Sequence, residues 1–296
     1  MLSILIPVYR FRVYPLLAGL LEQGNQLGIP IEILLYDDAS GFEYSEERKL
    51  SESDSRLRIV FLEKNLGRSR IRNKLAADAA YPWLLFMDAD SALVSPTYLN
   101  TYWNNRSEEV LLNGGTSYAS EPPKDKQLYF RWYYGRNREQ RAASVRQAAP
   151  FEGFSTHHFF CHKDVFKKVC FPDELKGYGH EDTLFGFRLR VAGFSIRHLD
   201  NPLEHIGLED TTSYIKKTKE ALDNLHTLRT NYPEVSTRLS KTYDKLRRWR
   251  LIWVPALFYR IFGRRLEKHF QSGNPNLLLF DLFRLGYYAN RSKRQN

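Results

Sequence analysis

Cysteine is scarce in this chain: only Cys161 and Cys170 occur among its 296 residues. They form no CxxC and no Cys/His pairing at zinc-finger spacing, which argues against a disulfide framework and a structural zinc and fits a reducing, cytosolic setting. Long apolar runs are lacking too. The most apolar late stretch, residues 251–262, is interrupted by Pro255 and Arg260, whereas a membrane span needs roughly 20 apolar residues. No membrane crossing is expected, and no secretory leader, since Met1 runs straight into Leu2–Val8 without a basic segment. Glycine and proline are scattered without a Gly/Ser or Gln/Asn tract, so there is no low-complexity linker, and no internal repeat is visible.

What is present is the material of a folded enzyme-sized domain. The chain is 43% hydrophobic, and its length allows one large α/β domain with appendages. The net charge of +10 is unevenly spread: residues 241–296 hold 13 Lys/Arg against Asp244, Glu267 and Asp281, while residues 1–240 carry 31 basic and 31 acidic side chains. A basic tail on a neutral body implies an anionic partner, membrane lipid or nucleic acid.

Periodicity gives the order of elements. Leu2 to Val8 reads as a buried strand, Tyr14 to Leu27 as a helix ended by Gly28 and Pro30, and Ile31 to Tyr36 as a second strand stopping on Asp37-Asp38. A strand at 57–62, a helix at 68–80 and the strand Trp83 to Met87, running into Asp88-Ala89-Asp90, continue the alternation. Such alternation implies a mostly parallel sheet covered by helices, with ligands beyond the carboxyl ends of the strands. The acids at 37–38 and 88–90 should therefore meet in one crevice. Farther on, strands are expected near 156–161 and 194–199, a helix following the Gly177 to Asp182 segment and running to about Ala192, and a surface helix over 211–230. A helical, basic, aromatic extension follows, in which Pro255 predicts a break between two short helices.

Five constellations can carry chemistry. Asp88 and Asp90, at i and i+2 after a buried strand, suit a hard divalent cation that also takes phosphate oxygens; the competing reading is a chance turn. Asp37-Asp38 can accept from a base or ribose, or simply close the strand in an Asx turn. Asn65 to Asn73 enters a helix with three arginines, either a phosphate site or a solvated basic face. In Gly177-Tyr178-Gly179-His180-Glu181-Asp182, an ionised acid can take a proton from an attacking hydroxyl, although acids also favour a helix start for its dipole. His205, expected in a loop after a short strand, can be a metal ligand. The His157-His158 pair remains unassigned.

In their order along the chain, Ile4 to Tyr9, Glu32 to Ser40, Asn65 to Asn73, Phe86 to Asp90 and Gly177 to Asp182 closely resemble family 2 glycosyltransferases with the GT-A fold, over about residues 1–230. The resemblance implies an inverting, metal-dependent transferase: Pro7, Tyr9 and Asp38 at the donor nucleoside, Arg72 near the diphosphate, and Asp88 by ribose and metal. It also implies Asp90 and His205 as ligands of Mn²⁺ or Mg²⁺, Asp182 as general base and Glu181 as its orienting neighbour. A UDP-sugar is the expected donor and a glycan or lipid-linked glycan the expected acceptor. Arg10, Ala39 and Ile71 stand where the family usually has Asn, Gly and Ala, and none of these departures removes an acid.

The expected organisation is a GT-A domain over 1–235, with a nucleotide-binding half at 1–95 and an acceptor-binding half at 96–235, and a helical basic extension at 236–296. A dinucleotide oxidoreductase is disfavoured because no GxGxxG follows the first strand. A nucleic-acid or membrane-binding protein on an inactive GT-A scaffold is the alternative; it does not need the acids that are present. Residues 241–296 mix Trp249, Trp253 and Phe262 with arginines, which suits an anionic membrane surface better than nucleic acid. A peripheral position on the inner face of the plasma membrane follows, and a packed helical cap is the competing expectation.

Overall fold

The computed structural model describes residues 1–174, 177–273 and 275–292. It divides into two compact units: Met1–Tyr118, Gln140–Asp173 and Phe185–Gly207 form the first, and Ala119–Glu139, Glu174–Leu184 and Leu208–Asn296 the second.

The first unit is built on a seven-stranded sheet in the order Leu57–Phe61, Ile31–Asp37, Leu2–Val8, Trp83–Met87, His158–His162, Val110–Asn113, Ser195–His198. The first four strands are parallel, and His158–His162 runs antiparallel to both its neighbours. Both sheet faces are covered, which is why these strands read as unbroken apolar runs. Alternate residues sort to opposite sides: Ile4, Ile6, Ile33 and Leu35 join Leu16, Leu17 and Leu20 in one core, while Leu5, Leu34, Tyr36 and Phe86 join Ile71, Leu75 and Phe159 in the other. The helix Tyr14–Leu27 begins with a proline in its first turn and ends on Gly28 at φ 67°, a left-handed stop that glycine takes without steric cost. Its first amides are held by a distant group, the buried Glu47 carboxylate, which accepts from Val13 N at 2.9 Å and Tyr14 N at 3.1 Å.

A small second sheet corrects one expectation. His205 is not in a loop: Leu203–His205 pairs antiparallel with Ser91–Leu93, His205 opposite Ser91, and parallel with Thr116–Ser117.

The second unit is helical. Lys126–Tyr134, Thr211–Asn231, Arg238–Arg248, Trp253–Phe270 and Leu277–Ser292 pack around Phe130, Tyr214, Phe270, Phe280 and Phe283, and around Leu222, Leu225, Tyr243 and Tyr288. The helix expected at the surface over 211–230 thus buries a full stripe, Tyr214, Ile215, Thr218, Leu222, Leu225 and Leu228. Pro255 does not break a helix. It sits in the first turn of Trp253–Phe270, where an intrahelical N–H is not needed. Residues 274 and 293–296 of the basic tail lie outside the described residues. Among the described residues no helix is long and apolar enough to cross a membrane.

Candidate active site

Where Leu2–Val8, Ile31–Asp37 and Trp83–Met87 end, the first unit opens a cavity of about 350 Å³. Pro7, Tyr9, Asp38, Arg72, Asp88 and Asp90 all line it, with Asn65, Gly67 and Arg68. A larger hollow of about 580 Å³, bounded by Val110, Gln147 and Ser195 to His198, contains none of these residues and no carboxylate.

The first acid pair is occupied by the protein itself. Asp37 accepts from Ser40 N at 3.0 Å, Ser40 Oγ at 2.5 Å and the Tyr44 hydroxyl at 3.0 Å, an Asx-type turn closing the strand. Asp38 spans to the third motif, its carboxylate accepting from Leu66 N at 2.6 Å and Gly67 N at 3.0 Å while Asn65 Nδ2 donates to its carbonyl at 3.0 Å. Ala39 lies at φ 56° and Arg10 at φ 52°. These are two positions where the sequence departs from the Gly and Asn of related motifs, both types that tolerate the left-handed region.

The second pair is arranged differently. Arg72, 3% exposed, donates from Nη2 to Asp88 Oδ1 at 2.5 Å and from Nη1 to the Arg68 carbonyl at 3.3 Å. Its guanidinium is thus turned onto Asp88. Burial raises the Asp88 carboxyl above its ordinary value, and Arg72 only partly opposes it. Asp90 also feels burial, but His205 first, then His157 and Arg68, outweigh it and hold this carboxyl below the usual range.

Strand pairing is what brings His205 to Asp90. Ile206 N donates to the Asp90 carbonyl at 2.9 Å, and His205 Nε2 stands 3.4 Å from Asp90 Oδ2. Gly207 permits the approach, since a Cβ there would come within 2.5 Å of the Asp90 carboxylate. His157, not singled out by sequence, underlies the group: its ring nitrogens meet Ser91 Oγ and Thr116 Oγ1, each at 2.9 Å, and its ring lies 5.6 Å from that of His205. Its signal was the histidine pair at the start of a buried strand, but the partner strand is not visible in sequence.

This corner fits a divalent cation. An ionised carboxylate faces the Nε2 of an imidazole, and the other ring nitrogen of His205, Nδ1, is buried with no hydrogen-bond partner among the described residues, a cost an interior nitrogen rarely bears without a ligand or water. Among the described residues no group of three or more His, Cys, Asp or Glu side chains could hold a metal. Asp90 and His205 are two candidate donors, and oxygens of a bound molecule could supply the other positions.

Glu181 and Asp182 belong to the second unit, at the start of the helix Glu181–Val191. The turn before them has Gly177 at φ 77°, Gly179 at φ 97° and His180 at φ 71°. It rests on the helix Thr211–Asn231: Tyr178 N donates to Glu220 Oε1 at 3.1 Å and Asn224 Nδ2 to the Tyr178 carbonyl at 3.0 Å. A Cβ at Gly177 would collide with the Glu220 carboxylate, and one at Gly179 would come within 2.5 Å of Ala221. Burial, then the charge of Glu181, pushes the Asp182 carboxyl up to about 6. Burial also lowers His180 to about 4.

The family model described as Glycosyl transferase family 2 matches residues 3–168, a span that includes Pro7, Tyr9, Asp38, Arg72, Asp88 and Asp90 and stops short of Glu181, Asp182 and His205. No curated protein sequence matches the chain. Among solved structures, mannosyltransferase PcManGT from Pyrobaculum calidifontis, in complex with GDP-Man and Mn²⁺, is similar over 99% of this chain and 86% of its own, at 14% identity and a TM-score of 0.58. Residues 1–349 of S. aureus TarS are similar over 99% of this chain and 91% of that one, at 17% identity and a TM-score of 0.50. Identities this low speak for the fold alone, whereas the family match spans more than half the sequence. The chain belongs to glycosyl transferase family 2 and is a glycosyltransferase with the GT-A fold.

Proposed function

We propose that the chain is an inverting, metal-dependent enzyme that moves a sugar from a UDP-sugar to a glycan or lipid-linked glycan, working peripherally at the inner face of the plasma membrane. The observation that carries the reading is the facing of Asp90 and His205 at 3.4 Å beside a cavity at the parallel strand ends. Pro7, Tyr9 and Asp38 bind the nucleoside, Tyr9 offering an exposed ring and Asp38 a carboxylate whose remaining lone pairs can accept from base or ribose. Asp88 binds at the ribose, steadied by Arg72, so that Arg72 acts toward the donor by positioning Asp88. Asp90 and His205 hold Mn²⁺ or Mg²⁺, which when bound neutralises charge growing on the leaving diphosphate.

Asp182 is the base. With a carboxyl near 6 it is ionised at pH 7 by roughly ten to one, yet is more basic than an ordinary carboxylate, which suits proton abstraction. Asp182 accepts the proton of the acceptor hydroxyl as that oxygen bonds to the anomeric carbon and the bond to the diphosphate breaks. One displacement inverts the centre. Glu181 orients the acceptor or the donor sugar beside it. The test is nucleotide release by the purified full chain from a panel of UDP- and GDP-sugars, with and without Mn²⁺. Mn²⁺-dependent release from one UDP-sugar is expected. Release from a GDP-sugar alone would overturn the choice of nucleotide, and release that ignores the cation would overturn the metal assignment.

A further inference from the structure

Within the second unit the helix Trp253–Phe270 has two unlike faces. Its inner face buries Ala256, Gly263, Leu266 and Phe270. Outward it presents Trp253, Val254, Leu257 and Ile261, exposed by 51, 46, 44 and 57%, at spacings that align them in one stripe. Trp249, 60% exposed, precedes them. A contiguous apolar stripe left in water marks a binding surface.

The charge around it is one-sided. Each acid of the described tail is already bound by a cation from outside the tail: Asp244 by Arg229, Glu267 by Lys219 and Asp281 by Arg138, all at 2.7 Å. Arg247, Arg248, Arg250, Arg264, Arg265 and Lys268 flank the stripe and have no acidic partner among the described residues. Apolar side chains bordered by uncompensated cations are complementary to a bilayer with anionic headgroups. A second copy of this surface would bring like charges together, and Val254, Leu257 and Ile261, three of the four residues of the stripe, give nucleic acid no ring to stack on.

We infer that the face centred on Trp253, Val254, Leu257 and Ile261 docks on an anionic lipid surface, the stripe entering the acyl boundary and the cations meeting the phosphates. The inference gives the proposed peripheral location its residues and uses no residue of the cavity or of the acid pair. The test is co-sedimentation of the full chain with phosphatidylcholine vesicles, with and without phosphatidylglycerol. Binding should favour the anionic vesicles at least tenfold. An engaged cation contributes about fivefold, so the quadruple variant Arg250→Gln, Arg264→Gln, Arg265→Gln and Lys268→Gln should lose at least tenfold. The triple variant Val254→Ser, Leu257→Ser and Ile261→Ser should lose a comparable amount, and both should keep the wild-type melting curve. Should a variant fail to fold, quenching of wild-type tryptophan emission by brominated lipid decides, because Trp249 and Trp253 must enter the acyl boundary. Equal binding to both vesicle types, absence of quenching, or displacement from vesicles by a single-stranded oligonucleotide would overturn the inference. A chain that binds vesicles but releases no nucleotide would leave this surface standing and remove the transferase reading alone.

Discussion

The two strands that flank Leu2–Val8 in the first unit each end in a pair of carboxylates, and the chain treats the pairs differently. At the end of Ile31–Asp37, both acids are engaged by the chain: Asp37 closes its own turn and Asp38 grips the amides of Leu66 and Gly67. At the end of Trp83–Met87, Asp88 takes Arg72 while Asp90 faces the His205 imidazole, whose Nδ1 has no hydrogen-bond partner among the described residues. Equal chemistry in sequence thus becomes architecture in one place and a candidate ligand position in the other. Hydrogen-bond donors arriving from distant segments make the difference.

The strongest way to break this comparison is Asp90→Ala. If Asp90 is the ligand position, the variant should weaken Mn²⁺-dependent nucleotide binding more than about a hundredfold and cost less than about 1 kcal/mol of stability, because its partner is a partly exposed pair. Calorimetric titration and urea unfolding read the two quantities, and unchanged affinity would make Asp90 as structural as Asp37. Next in size is Asp182→Asn, which tests whether the acid pair of the second unit divides its labour the same way. Turnover should fall by roughly 10² with donor KM little changed. Wild-type kcat should decline as pH falls through about 6, since only the ionised carboxylate accepts a proton, and the variant should be flat there. His180, lowered to about 4, does not titrate in that window. A larger loss in Glu181→Gln would move the base to its neighbour. The smallest effect on chemistry belongs to Asp37→Ala. It should cost about 3 kcal/mol through three lost bonds to a buried carboxylate, while the folded protein binds donor within twofold of wild type.

Much of the first unit was legible because its strands are buried on both faces and its first helix carries its own stop: Leu2–Val8, Tyr14–Leu27 and Trp83–Met87 have the bounds that periodicity implies. Segments stabilised by partners rather than by pattern were not. Ser45–Ser53 is a polar helix whose buried residue is Glu47, an acid that serves another helix, and Leu203–His205 is a three-residue strand that exists only by pairing. The candidate site was readable as a set of residue types and unreadable as a division of roles. Nothing local distinguishes Arg72 turned to Asp88 from an arginine facing phosphate, or Asp38 bracing a loop from Asp38 facing solvent. The tail's aromatics posed the same problem, as Phe270, Phe280 and Phe283 form a core while Trp249 and Trp253 face outward.

The turn that carries Glu181 and Asp182 has no room of its own, because Gly177 and Gly179 lie against Glu220 and Ala221. Inheritance of the acid motif is therefore tied to a helix some forty residues away. Drift at Ala221 toward a larger side chain, or loss of the Glu220 and Asn224 bonds, would displace the acids without altering either one. Descendants of this chain should accordingly change the turn and that stripe of the helix together, so that the history of the acid motif would be written partly in residues of another helix.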